Sequence, residues 1–483
     1  MAGQTRPDLL ATTEPPRAIP TVVGGRQNKQ TREQKIQAAG RRLVSLDAYR
    51  GFIMIMLAAN GFGIAALAKL KPDNSVWDTF SIGHFQSLAF HFNHPAWESL
   101  RGRVGVSFWD LIQPSFMFMV GVAMPLSYAR RTVMGSTARG RLLHAAWRAV
   151  VLTLMGVFLY SLRSPQTNWV FTNVLAQIGL GYFFAYLLLS VSVQSQLIAF
   201  AAILFGYWGW FMLNPPPADF DYSAVRASVE EGEVYEGRFA PWSKNANAAH
   251  FFDVWLLNVL RSPESAGTSE NSGKESTADA SNEAVTTKPG GIRRWFFSAP
   301  ERYEFNSGGY TTLNFIPSIA TTLLGILCGQ LLMGTETSGR KLLTLVVMGA
   351  VCLALGVLAH HTVCPIVKRI WTPSWVLFSG GYVIWLLAGF YFVFDILPFQ
   401  RLAFPLVVVG MNSIAMYLMG QLLRPWVTDN IVTTHFGGVL TSLFGPSAVS
   451  NDGWGAIVLP TATFVVFWLV AYWMYRNRYF VRV

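Results

Sequence analysis

Two residues sixteen positions apart carry the clearest chemical signal in this sequence. His94 closes the polar run His91-Phe92-Asn93-His94-Pro95, and Asp110 opens an apolar stretch that continues through Gln113, Pro114 and Gly121. A carboxylate inside a long apolar run is costly unless it faces a cavity or a partner. A carboxylate beside an imidazole orients the ring and raises its basicity, the usual way to make a proton acceptor for neutral pH. Pro114 lacks an amide proton, so it would kink a helix here and free a carbonyl, as suits a cavity wall. An interfacial histidine with no role beyond its position is the plainer alternative. Metal binding by His84, His91 and His94 is another, although no further ligand set is evident and no metal is expected.

Asn60 stands ten residues into an earlier apolar run, beside Gly61 and Gly63. At ~1.5 Å per residue that is ~15 Å deep, where an amide must find a partner. Ser45-Leu46-Asp47-Ala48-Tyr49-Arg50-Gly51 opens that run. Ser45 can cap a helix there, and Asp47 sits well at its positive end. Arg50 either snorkels to the surface or helps hold a phosphorylated cofactor arriving from the cytoplasm. Lys244, Asn245 and Asn247 form a weaker polar group that could meet a polar substrate.

The elements that position these residues follow from composition. Only 13% of the 483 residues are charged and 52% are hydrophobic, with a mean hydropathy of +0.35. Soluble chains average about 25% charged residues. The reading is an all-α, polytopic integral membrane protein of about ten transmembrane helices with cytoplasmic N- and C-termini. The spans are 51–70, 106–128, 146–162, 174–193, 197–213, 313–333, 342–358, 375–397, 402–423 and 456–475. The third, fifth and seventh fall short of the ~20 residues a crossing needs and would extend into their flanks.

Orientation follows the basic residues. Arg130, Arg131, Arg139, Arg141 and Arg148 follow the second span without an acid, and Arg476, Arg478 and Arg482 follow the last. Both groups fall on the side of the basic N-terminus if the chain crosses ten times. The net charge of +11 is thus read as membrane orientation, with no nucleic acid as partner. Residues 1–42 read as a disordered basic cytoplasmic tail. Residues 43–213 hold the first five spans, with a candidate catalytic loop at 71–105. Residues 214–310 form a periplasmic segment with a disordered insertion at 262–291, and 311–483 hold the last five spans. Cys328, Cys352 and Cys364 show no ligand spacing or disulfide framework.

In order along the chain, several stretches resemble the transmembrane acetyltransferases typified by heparan-α-glucosaminide N-acetyltransferase, as a bacterial relative lacking the luminal domain. They are 45–51, His94 with Trp97, 110–121, 173–182 (NVLAQIGLGY), 313–329 (LNFIPSIATTLLGILCG), 365–377 (PIVKRIWTPSWVL) and 410–417 (GMNSIAMY). The resemblance implies an acyltransferase of the bacterial inner membrane. It would pass an acetyl group from cytoplasmic acetyl-CoA, a co-substrate, to an amino sugar or glycan on the periplasmic side. His94 matches the family's active-site histidine and Asn60 its asparagine, which would donate to the developing oxyanion. Asp110 and Asn412 would be supporting polar groups, with Trp97, Asn412 and Asn245 toward the acceptor. Arg50, Arg130 and Arg131 would face the CoA phosphates. The partners are therefore acetyl-CoA, the acceptor, the bilayer and, if the chain associates, a second copy in a homodimer. Departures are Ala176-Gln177 for the family's Gln-Arg, Val367-Lys368 for Asn-Lys, and Trp97-Glu98-Ser99 for Trp-Asn-Gly. A transporter or flippase for a glycan or lipid-linked sugar, or a non-catalytic relative, is the competing expectation.

Overall fold

The computed structural model describes residues 43–78, 81–95, 97–100, 105–162, 164, 166–259 and 302–481. The tail 1–42 and the insertion 262–291 lie outside them. Helices are the only regular elements among the described residues. In chain order the main ones are α1 (Val44–Ala58), α2 (Phe108–Val133), α3 (Ala138–Ser161), α4 (Val174–Leu188) and α5 (Val193–Leu213). They continue with α6 (Ala248–Val259), α7 (Phe315–Met333), α8 (Ser338–Thr362), α9 (Pro373–Tyr391), α10 (Phe404–Met411), α11 (Ser413–Leu422) and α12 (Gly455–Arg476).

Seven helices among the described residues are long and apolar enough to cross a membrane, which makes this a helical protein of the polytopic membrane class. Each of the ten apolar stretches falls on a helical element, but three do so with a difference. The helix at 174–188 has only 15 residues. The first and ninth stretches are broken, bending by 47° after Ala58 and by 66° between α10 and α11. The first break follows from local sequence. Asn60, Gly61, Phe62 and Gly63 all have positive φ, between 51° and 72°. Glycine and asparagine reach this region at little cost, whereas Phe62 is held there by its surroundings. A side chain at Gly61 would strike the Phe92 ring, and one at Gly63 the Ala456 carbonyl, so the chain turns where two neighbours press in.

The start of α1 also differs from the sequence expectation. Ser45 does not cap it, since its hydroxyl is buried without a partner. Instead, Asp395 accepts from Val44 N at 3.1 Å and Ser45 N at 3.2 Å. A carboxylate from a distant segment thus satisfies the helix's orphan donors.

The bundle is drawn together by small residues. A Cβ on Gly121 of α2 would overlap the Thr322 carbonyl of α7, and one on Gly325 the Phe118 carbonyl. In lipid, where apolar burial gives little drive between helices, such backbone approach supplies the packing. Gly121→Ala is therefore expected to cost about 1–3 kcal/mol by forcing the two helices apart. A detergent thermal-unfolding midpoint unchanged from wild type would contradict this.

Candidate functional site

The loop before α2 is fixed by backbone hydrogen bonds on both sides of His94. Trp109 N donates to His91 O at 2.9 Å, and Ser107 Oγ donates to Asn93 O at 2.7 Å while accepting from Trp109 N as the α2 N-cap. Arg369 Nη2 donates to Pro95 O at 3.1 Å. These bonds hold His94 over the mouth of α2, where Asp110 sits one turn inside.

His94 Nδ1 lies 2.7 Å from Asp110 Oδ1. Lys368 Nζ donates to the same oxygen at 3.0 Å and stands 3.2 Å from His94 Nδ1. An ammonium has only donors, so both it and Nδ1–H point their hydrogens at the carboxylate. That places the imidazole's free lone pair on Nε2. Asp110 and Lys368 are 3% and 5% exposed, while the His94 side chain is 41% exposed. The ion pair is therefore interior and the imidazole is its accessible edge.

Asp110 does raise the basicity of the histidine, as expected from the sequence, but burial outweighs it. Burial, which takes the charged ring out of water, lowers the His94 pKa below its ordinary 6.5; the Asp110 bond opposes this, and the Lys368 and Arg369 cations add to it. The net direction is downward, so the ring is neutral at pH 7 with a base at Nε2. The acid limb of a kcat/KM profile reports this group. Lys368→Met removes a cation and leaves the anion, so that limb is expected to move to higher pH. A limb that stays in place would detach Lys368 from the titration.

Lys368 was read in the sequence only as half of a departing motif. It sits in a tight turn before α9, where Trp371 N donates to Lys368 O at 2.9 Å and Val367 N donates to Thr372 Oγ1 at 3.1 Å. Thr372 then caps α9 by accepting from Trp375 N. Val367, Ile370 and Trp371 are essentially unexposed. A lone lysine among such residues was the available signal.

His94 and Lys368 open into a cavity of about 320 Å³. Leu57, Trp109, Ile112, Gln113, Tyr160 and the 172–174 segment line it, together with Asn306 and Tyr310. Gln177 braces the chain beside Thr172 and Asn173 by donating to Phe171 O at 2.7 Å and Thr312 O at 3.1 Å.

Other expected site residues stand elsewhere. Asn60 is exposed at the α1 break and does not line the cavity, contrary to its expected burial. Trp97 is 2% exposed, donates Nε1 to Trp242 O at 3.0 Å, and packs in a cluster with Phe211 and Trp242. It joins the loop to the segment before α6 without touching the cavity. Asn245, 1% exposed, donates to the carbonyls of Val225 and Asn306 at 3.1 and 3.0 Å, so it acts on the cavity through Asn306. Asn412 sits at the α10–α11 break, where Oδ1 accepts from Val481 N at 3.1 Å. A side chain on nearby Gly410 would meet Asp47, which puts Asn412 at the far end of α1 from the cavity.

That far end is basic. Arg50 lies 3.7 Å from Asp47, and Arg148 is close enough to Arg50 to repel it. Arg131 contacts His144 at 2.7 Å, Arg141 lies over Tyr128 and Arg148 over Tyr182. Arg130 is exposed beside them. The Nε atoms of Arg141 and Arg148 are buried with no hydrogen-bond partner. Asp110 and Arg131 are separated by twenty-one residues of one helix, about 30 Å at 1.5 Å per residue, close to a bilayer's hydrocarbon thickness.

No protein-family model matches this chain, and no curated protein matches it. Its class is that of a helical membrane protein, here with a buried Asp–Lys pair holding a histidine on a cavity of mixed polar and apolar lining.

Proposed function

We propose that this chain is a transmembrane acyltransferase of the acetyltransferase family its motifs resemble. It would cross the inner membrane of a bacterium ten times, with both termini cytoplasmic, and pass acetyl from cytoplasmic acetyl-CoA to a sugar or glycan on the other side. The observation that carries this reading is His94, lining a cavity and bonded through Nδ1 to the Asp110–Lys368 pair, which leaves its lone pair on Nε2.

Acetyl transfer from a thioester needs a base for the attacking group, or a nucleophile that takes the acetyl first. Either role falls to His94 Nε2. It also needs a donor for the developing oxyanion. Asn60 stands outside the cavity, so the role passes to the Gln113 amide, which lines it and has no hydrogen-bond partner among the described residues. The basic end supports binding of the CoA phosphates. Arg141 and Arg148, with their unpartnered Nε atoms, extend the set of Arg50, Arg130 and Arg131. Leu57 of the cavity wall stands seven residues, about 10 Å, from Arg50 along α1. That is a span a pantetheine arm can bridge.

The test uses purified protein in detergent with acetyl-CoA and glucosamine-type acceptors, following free thiol and acetylated product. Transfer is expected, with CoA affinity falling at least tenfold in Arg148→Ala. Neither transfer nor arginine-dependent CoA binding would defeat the proposal. The two broken helices favour a second reading, since transporters place discontinuous helices at their sites. Uptake of labelled sugar by vesicles without thiol release would decide for it.

A further inference from the structure

The chemistry of the cavity wall bears on what the acceptor is. The charged groups among its lining residues are the Lys368 ammonium and, when protonated, His94; no lining residue is acidic. The nearest carboxylate, Asp110, lies behind these two and is occupied by both. Arg369 adds a further cation over the Tyr310 ring at 5.8 Å. An ammonium entering here would give up its hydration and meet positive charge with nothing to pair with, which is costly in a confined site.

The same wall offers neutral hydrogen-bonding groups that the protein leaves unused. Gln113, Thr172, the Nδ2 of Asn306 and the Tyr310 hydroxyl line the cavity and have no hydrogen-bond partner among the described residues. Trp109 and Tyr310 add aromatic surface. Amides, hydroxyls and ring faces are what a polyol needs, since each of its hydroxyls both donates and accepts. At about 320 Å³ the space has room for a sugar ring.

We infer that the acceptor is a hydroxyl of a neutral sugar, making this an O-acetyltransferase that discriminates against amines. The inference rests on the acyl-transfer reading above and narrows it. In the step, His94 Nε2 takes the proton of the attacking hydroxyl as its oxygen bonds to the thioester carbonyl carbon. The carbon–sulfur bond then breaks, and the leaving thiolate takes that proton from Nε2. The products are a sugar acetyl ester and the free thiol of CoA, with His94 returned to its neutral form.

The experiment gives the purified full-length protein acetyl-CoA at pH 7 with either methyl glucoside or glucosamine. Thiol release is followed, and once residual acetyl-CoA is removed the product bond is typed by alkaline hydroxylamine, which cleaves an oxygen ester and spares an amide. Ester on methyl glucoside is expected at least tenfold faster than amide on glucosamine. Asn173→Asp is the second variant. The residue caps α4 by accepting from Leu175 N, a role aspartate performs equally well, and its bond with the Tyr417 hydroxyl can be kept with the tyrosine donating, so one carboxylate is added to the wall. It is expected to raise amide formation relative to ester by about tenfold. Amide as the main wild-type product, or a preference untouched by Asn173→Asp, overturns the inference while leaving acyl transfer intact. No thiol release with either acceptor defeats both.

Discussion

Acetyl transfer should fall by ~10²–10⁴ in His94→Ala, the contribution a positioned base makes, while the protein still accumulates and unfolds at the wild-type temperature. The two parts of this expectation have separate causes. Only Nε2 of this ring offers a free lone pair to the cavity. The amides and hydroxyls around it cannot accept a proton at neutral pH, and the Lys368 amine is committed to Asp110. Stability is spared because the side chain is 41% exposed and leaves little void when removed. The Asp110–Lys368 pair also survives intact beneath it. Turnover is measured as thiol release and unfolding in the same detergent. A variant within a few-fold of wild type would remove His94 from the chemistry.

The sequence made half of this site legible, and the division has a physical basis. His94 and Asp110 lie on either side of one short loop, so their spacing already suggested a meeting. Lys368 reaches them across 258 residues through the turn before α9, and no local pattern announces a pairing over that distance. It stood in view only as an oddity, a lysine among residues that should be buried. Asn60 misled for the opposite reason. Its depth in an apolar run assumes a continuous helix, whereas four successive positive φ values turn the chain outward there. The pair of glycines was the sign that the run would break. Trp97 was placed toward an acceptor by the family resemblance, yet its indole nitrogen is committed to Trp242 O and its ring to the core. The basic end was readable because arginines without acids mark a membrane side whatever the fold. Their stacking on Tyr128 and Tyr182 needed coordinates, since the partners lie on two other helix segments.

Asp110→Asn should cost more than the loss of one hydrogen bond, because Lys368 stays behind. In the native site the carboxylate takes both the lysine's and the imidazole's hydrogens on one oxygen, which fixes the proton on Nδ1. A neutral amide leaves an ammonium 5% exposed with no anion, and of the two acceptors then beside it, the amide oxygen and His94 Nδ1 at 3.2 Å, the imidazole nitrogen is the more basic. Lysine would donate there and push the ring's proton to Nε2, so the lone pair needed in the cavity would point at Lys368. An Asp→Asn change that enforces the wrong tautomer in a Ser–His–Asp triad costs ~10⁴ in turnover, and a fall of ~10³–10⁴ is expected here. Breaking a buried ion pair by removing one partner also destabilises by about 3–5 kcal/mol, so the unfolding midpoint should drop. The double variant Asp110→Asn/Lys368→Met separates the two effects. Without the ammonium nothing forces the tautomer, and Nδ1–H can donate to the amide oxygen. Stability and part of the activity should return together. If the double variant is no better than Asp110→Asn in either measurement, the lysine does not govern the imidazole.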